Sequence, residues 1–261
     1  DDEDSVSLQD MPSDHVMRDI HIAVMQTPKI SNFTDFDALN HEPDVNVRFV
    51  QQGDMIGHPD LIMLPGSKNT TEDLLYLKRQ GYAKEICELA EEGVPVIGIC
   101  GGYQMLGEKV CDPLHVESEN DEVEGLGLLP YETSMHGKKN TYQVLFDCEE
   151  LPFLDMKFSA KGMRGYEIHM GQTSDMQNNS LQNVCENTIS ENGKNVYGSY
   201  VHGLFDNGNI AYRIVKILAE KKGIRIKDGV FEDYQVFKEK QYVKLADTLR
   251  RYLDMEEIYG M

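Results

Sequence analysis

The chain is 261 residues long, 40% hydrophobic and 27% charged, which suits one large packed domain, or one with appendages, and excludes wholesale disorder. Its 25 Lys and Arg stand against 45 Asp and Glu, a formal net charge of −20, which repels phosphate backbones and anionic membranes and argues against nucleic-acid or membrane partners. No apolar run nears the roughly 20 residues that span a bilayer, and the start DDEDSVSLQD is the opposite of a targeting peptide, so a cytoplasmic location is expected.

Residues 1–19 carry six acids before the first base, Arg18, and read as a solvated linker. A body follows over 20–208, and 209–261 reads as a C-terminal helical extension packed on it. Short apolar runs at HIAVM (21–25), VRFV (47–50) and DLIMLPG (60–66) predict strands. NTTEDLLYLKRQGYAKEICELAEEG (69–93) predicts a helix capped by Asn69 or Thr70, broken at Gly81 and stopped by Gly93. VPVIGIC (94–100) reads as a strand buried on both faces, as in a parallel sheet, with a helix predicted over 101–110. Further strands are predicted at 141–147, 165–171, 183–189 and 195–203, with a turn-rich connector at 124–130 and a solvated acidic loop at 117–124. Alternating strand and helix over the first 110 residues predicts an α/β sandwich around a mostly parallel sheet.

The sharpest chemical signal is VPVIGICGGYQMLG (94–107). A buried strand ends in Gly-Ile-Cys-Gly-Gly and a helix starts at once, which is a nucleophile elbow with Cys100 as the reactive residue. Glycines flank it because the turn is tight and demands unusual backbone angles. At a helix N-terminus the dipole favours a thiolate, and free backbone N–H groups can hold an oxyanion. The other cysteines, Cys87, Cys111, Cys148 and Cys185, make an odd set of five with Cys100 and no CxxC pair, so buried thiols are expected rather than a disulfide framework or zinc ribbon.

A thiolate acyl-transfer site needs a base. His202 in YGSYVHGLF (197–205) stands at the end of a predicted strand, and His169 in YEIHMG is the competitor. Gln104, four residues after the cysteine, reads by itself as a helix-surface amide. No HExxH is present, so metal chemistry has little support.

These residues resemble the class I glutamine amidotransferases, and within them the cobyric acid synthase branch. The resemblance runs through ISNFTDFDAL (30–39), LIMLPGSKNT (61–70), VIGICGGYQMLG (96–107), GYEIHMG (165–171), YGSYVHGLFDN (197–207) and LDMEEIY (253–259). It implies a flavodoxin-like three-layer sandwich with a mostly parallel or mixed central sheet. Cys100 would then be the nucleophile and His202 its base and later acid. Gly66 and Gly101 would supply the oxyanion-hole N–H groups, and Gln104, Tyr166 and Glu167 would line or stiffen the glutamine pocket. Many class I members follow the histidine with Pro-Glu, where the Glu orients it; here Gly203 and Leu204 follow. A Cys–His dyad is therefore expected, with the imidazole held by something else and glutamine use gated by a partner domain.

The resemblance also implies a preceding ATP-dependent ligase domain, using ATP and Mg, that amidates carboxylates of adenosylcobyrinic acid a,c-diamide. No GxxxxGK[ST] occurs in this chain, so it is expected to supply ammonia and meet the corrinoid only through that domain. The missing initiator Met and the acidic start agree with a linker leaving such a domain. Two rivals remain: the glutaminase subunit of another amide ligase, such as one amidating lipid II, and a catalytically silent scaffold.

Overall fold

The computed structural model describes residues 19–42, 44–175, 182–184, 189–191, 195–207, 209–226 and 234–260. The expected acidic linker therefore lies almost wholly outside the described residues. In chain order the first elements are β1 (Ile20–Met25), β2 (Ile30–Ser31), a 3-10 turn (Phe33–Phe36), α1 (Asp37–His41) and β3 (Val45–Val50). Next come β4 (Leu61–Leu64), β5 (Gly66–Ser67), α2 (Thr70–Gln80), α3 (Tyr82–Glu91), β6 (Val96–Ile99) and α4 (Gly101–Leu106). Then follow β7 (Lys109–Cys111), β8 (Glu122–Glu124), β9 (Tyr131–Phe153), β10 (Met156–Asp175), β11 (Gln182–Val184), β12 (Ile189–Glu191) and β13 (Val196–Ser199). After a 3-10 turn (Leu204–Asp206) the chain ends in α5 (Ile210–Lys222), α6 (Tyr234–Tyr252) and α7 (Met255–Tyr259).

The main sheet runs β11-β12-β13-β6-β4-β1-β3. Its five parallel strands, β1, β3, β4, β6 and β13, lie in the spatial order second, first, third, fourth, fifth. That is the flavodoxin-like order, whose strand C-termini hold the ligand crevice. The parallel strands are apolar because both faces are covered: β4 and β6 are buried throughout. One core cluster gathers Ile22, Val24, Met63 and Ile99 with α5; the other gathers Ala23, Ile62, Leu64 and Val96 with α2 and α3. Residue alternation along each strand thus feeds two helical layers.

The helix signals hold up locally. Asn69 accepts the Glu72 N–H at 2.9 Å and caps α2, and Gly81 at φ 83° separates α2 from α3. The predicted helix over 101–110 is shorter than expected, because Gly107 leaves the helix and β7 begins at Lys109.

The largest departure is the hairpin of β9 and β10. The predicted strands at 141–147 and 165–171 are the middles of arms of 23 and 20 residues, joined at Leu154 and Asp155. No Asn-Gly or Asp-Gly marks that turn; Leu154 itself takes φ 53°. Three register shifts bend the pair, and the last falls between His169 and Gly171. The predicted strand at 183–189 is split between β11 and β12, with its centre outside the described residues.

The acidic segment is not a simple solvated loop. Asp112 accepts the backbone N–H groups of Val116, Glu117 and Ser118 at 2.7–2.9 Å, folding the chain over its carboxylate. Glu117 then reaches the Thr70 N–H at the start of α2, and burial pushes its carboxyl up to about 7.

The C-terminal extension divides in two. α5 is buried against the sheet along Ile210, Ile214 and Leu218, whereas α6 has no buried residue. No helix among the described residues is long and apolar enough to cross a membrane. Cys100 is a buried free thiol and Cys87 and Cys111 are partly buried ones, but Cys148 is disulfide-bonded, against the expectation of mostly buried thiols.

Candidate active site

Strand β6 delivers Cys100 to the C-terminal rim of the sheet, and α4 starts at the next residue. Cys100 sits at φ 50°, ψ −106°, a backbone conformation strained for any residue with a Cβ. The parallel pairing that buries β6 between β4 and β13 holds it there. The turn closes only because two glycines come next. A Cβ on Gly102 would lie 2.0 Å from the Leu64 carbonyl oxygen, and one on Gly101 2.8 Å from the Ser67 nitrogen. Backbone cannot yield as a side chain can, so Gly102→Ala is expected to cost about 3 kcal/mol or more of stability. A chemical-denaturation midpoint equal to that of the unaltered protein would contradict this.

His202 does not close a strand as expected. It lies three residues beyond β13, tied by an isolated antiparallel bridge to Tyr166 on β10. His202 N–H donates to the Tyr166 carbonyl at 2.9 Å, and the Tyr166 ring stacks on the imidazole at 5.1 Å between centroids. Tyr166 is itself pinned by Asn32, which donates to its hydroxyl at 2.8 Å. His202 and Cys100 share a side-chain hydrogen bond, and the Cys100 thiol also reaches the Ile168 carbonyl at 3.6 Å. The histidine expected from sequence therefore stands beside the cysteine across 102 residues of chain.

The imidazole does have an acid behind it. Asp35 Oδ2 accepts from His202 Nδ1 at 2.7 Å, and its Oδ1 accepts the Gly203 N–H at 2.8 Å. Sequence reasoning missed Asp35 by seeking the acid next to the histidine. It comes instead from the 3-10 turn after β2, where Phe33 and Phe36 flank it and bury with it. The available signal was an acid inside the apolar frame FTDF of a segment already singled out.

Burial alone would push the His202 imidazole down; the Asp35 hydrogen bond and charge, with Cys100 behind them, outweigh it and hold the ring up to about 10. A histidine raised from 6.5 to about 10 contributes stability that is complete below about 6.5 and lost as pH rises through about 10. The stability gap between the unaltered protein and Asp35→Asn is therefore expected to narrow from pH 7 to pH 10. A gap that stays constant in denaturation series at both pH values would contradict the coupling.

Gly66 and Gly101 meet at this site. A Cβ on Gly66 would approach His202 Cε1 and the Ser31 carbonyl oxygen at 3.1 Å, so a side chain there would press on the imidazole. The β2–β5 pairing holds this loop, and buried Asp73 fixes it by accepting from Thr27 Oγ1, Ser67 Oγ and the Lys29 N–H at 2.6–2.9 Å.

Gln104 is not a helix-surface amide. It is buried, with Oε1 accepting from Thr70 Oγ1 at 2.7 Å and Nε2 donating to the Tyr200 hydroxyl at 3.4 Å. Glu167 accepts from the Tyr142 hydroxyl at 2.6 Å and contacts His169 Nε2 at 3.1 Å. Burial would raise its carboxyl, but the hydrogen bonds from His169 and Tyr142 outweigh that and hold it below its ordinary value. His169, the rival base, is stacked on Tyr200 at 3.9 Å and bonded to the Gly171 carbonyl, so it braces Glu167.

The fold is shared with solved structures of low identity. It matches PurLQS from Thermotoga maritima at TM-score 0.54 and 19% identity, over 76% of this chain and 99% of that one. It also matches a structure described as a glutamine amidotransferase at TM-score 0.52 and 16% identity, over 78% and 99%. Sequence comparison then fixes the family: residues 21–210 match the CobB/CobQ-like glutamine amidotransferase domain. The chain belongs to that family. It is 42% identical to a cobyric acid synthase of Streptococcus sanguinis over 99% of its length and 52% of the relative's. It is 43% identical to that of Ruminiclostridium cellulolyticum, with 99% and 52% covered. The chain thus spans about half the length of the curated relatives it matches.

Proposed function

We propose that this glutamine amidotransferase domain hydrolyses glutamine through a thioester on Cys100, with His202 as proton carrier, and feeds ammonia to an ATP-dependent ligase of the cobyric acid synthase kind. The observation that carries the reading is the strained Cys100 in hydrogen-bond contact with an imidazole anchored by Asp35. The thiolate attacks the carboxamide carbon, and the oxyanion forms against the Gly66 and Gly101 backbone N–H groups. One such donor is worth about 3–4 kcal/mol at the transition state. His202 gives its proton to the departing nitrogen, releasing ammonia and leaving the glutamyl thioester. It then takes a proton from water, whose attack frees glutamate and restores the thiolate.

Tyr166 stacks on the imidazole and steadies it, while Gln104, held by Thr70 and Tyr200, and Glu167, held by Tyr142 and His169, are the side chains this reading assigns to the glutamine pocket. Asp35 holds the Nδ1 proton, which leaves Nε2 to exchange protons with sulfur and substrate. The acceptor chemistry is the one the cobyric acid synthase resemblance implies: ammonia would amidate peripheral carboxylates of adenosylcobyrinic acid a,c-diamide after ATP-dependent activation by the other half.

The test is glutamate and ammonia release in equal amounts from glutamine. Release is expected, abolished by Cys100→Ala and by His202→Ala. Turnover that survives either substitution would end the reading.

A further inference from the structure

Glu117 belongs to the acidic segment whose sequence reads as a solvated loop, and the proposed chemistry leaves it unused. Its own loop holds it: the buried Asp112 carboxylate accepts the N–H groups of Val116, Glu117 and Ser118. Two bonds then join Glu117 to the start of α2, across 47 and 48 residues of chain. Its Oε2 accepts the Thr70 N–H at 2.8 Å, and its backbone carbonyl accepts from Asn69 Nδ2 at 2.6 Å. The first N–H groups of a helix cannot be satisfied from within it, so this carboxylate supplies from outside the partner that Thr70 needs. Asn69 in turn caps the helix by accepting the Glu72 N–H at 2.9 Å.

Thr70 carries the connection onward. Its Oγ1 donates to Gln104 Oε1 at 2.7 Å, whereas the other bond of that amide, from Nε2 to the Tyr200 hydroxyl, is 3.4 Å long. The shorter bond is the stronger anchor, so the place of the Gln104 amide is set chiefly by Thr70. The space around it is tight: a Cβ on Gly171 would lie 2.4 Å from Gln104 Nε2. The oxyanion loop beside it has a separate anchor, because Ser67 Oγ donates to Asp73 at 2.6 Å. Burial opposes the charge on Glu117, and Asp112 and Asp73 oppose it further, against the Thr70 N–H that favours it. A carboxyl perturbed in this way beside a pocket is a mark of functional sites. We propose that Glu117 is a positioning residue for glutamine, setting Thr70 and through it the Gln104 amide against which the substrate binds. This rests on the glutaminase reading above. The effect falls on binding rather than on the chemical step, since Cys100, His202 and the loop held by Asp73 are anchored by other residues.

The test is steady-state glutamine hydrolysis by substituted chains. Glu117→Ala is expected to raise KM about tenfold, with kcat changed less than about threefold. Glu117→Gln keeps an oxygen for the Thr70 N–H and should bring KM back to within about threefold of the starting value. Thr70→Val keeps that N–H but loses the hydroxyl, and should raise KM at least as much as Glu117→Ala. Combining Thr70→Val with Glu117→Ala should be no worse than Thr70→Val alone, because both act on one path. A purely structural role would lower the folded fraction, and with it the apparent kcat, while KM stayed put. A second readout needs no turnover: the nitrogen-15 NMR signals of the Gln104 side-chain NH₂ should shift in Glu117→Ala and return in Glu117→Gln. Unmoved Gln104 signals, or a KM unchanged or lowered in Glu117→Ala, would overturn the proposal. So would a Glu117→Gln chain as impaired as Glu117→Ala, or effects on KM that multiply in the double variant. If the unaltered chain released no glutamate while the Gln104 signals behaved as expected, the glutaminase reading would fall and the coupling of Glu117 to Gln104 would stand.

Discussion

Replacing Cys100 with serine is expected to abolish glutamine hydrolysis, by at least about 10⁴-fold, and to leave the fold intact. The two side chains nearly share a volume, and the elbow imposes its φ of 50° on either. What changes is the nucleophile. A serine hydroxyl holds its proton far more tightly than a thiol, and the hydrogen bond and charge of Asp35, which stay in the variant, still favour the protonated imidazole. That pairing suits a thiolate, which needs no base at the moment of attack. A hydroxyl would need the ring neutral. In a joined protein carrying the ligase half, amidation from added ammonia should survive the substitution while glutamine-dependent amidation disappears. Glutaminase activity within tenfold of the starting protein would show that the sulfur is not the nucleophile.

Asp35→Asn should lower kcat by about 10²–10⁴-fold with little change in KM. The reason lies in which atom must accept which proton. Gly203 donates its backbone N–H to Asp35 Oδ1, and His202 donates Nδ1–H to Oδ2. An asparagine keeps the first bond by pointing its carbonyl oxygen at Gly203, which turns its NH₂ group toward Nδ1. The ring then moves its proton to Nε2, the nitrogen that must exchange with sulfur and substrate. The imidazole stays in place, stacked on Tyr166, so substrate binding is preserved while proton transfer fails. A fall in substrate affinity with kcat intact would mean that Asp35 only shapes the pocket.

Local signals made the centre of the fold readable. Apolar runs bounded by turns marked β1, β3, β4 and β6, and Asn69, Gly81 and Gly93 marked the helix ends, because each of these is a short-range constraint. Cys100 was legible for the same reason: its strain is written in the glycines on either side. His202 was placed through its segment, but its anchorage was not, since a bridge to Tyr166 across the β9–β10 hairpin leaves no periodic trace. The length of that hairpin was hidden because its exposed middle lacks an apolar alternation and its turn uses Leu154 in a conformation leucine rarely adopts. Asp35 was hidden by distance. It lies 167 residues before its partner, and only the folding of β2 against β5 brings its turn to the rim of the sheet. The burial of Gln104 and Glu117 left no local signal, because their partners, Thr70 and Tyr200 among them, come from other elements.

The central claim is a sulfur nucleophile at the elbow, poised to attack the glutamine carboxamide. Treating the chain with a glutamine-mimicking diazo-ketone and mapping the modified peptide by mass spectrometry tests it directly. One adduct is expected, on Cys100, slowed by excess glutamine and strongly slowed in His202→Ala. An adduct on Cys87 or Cys111, or labelling of Cys100 that glutamine does not slow, would contradict it.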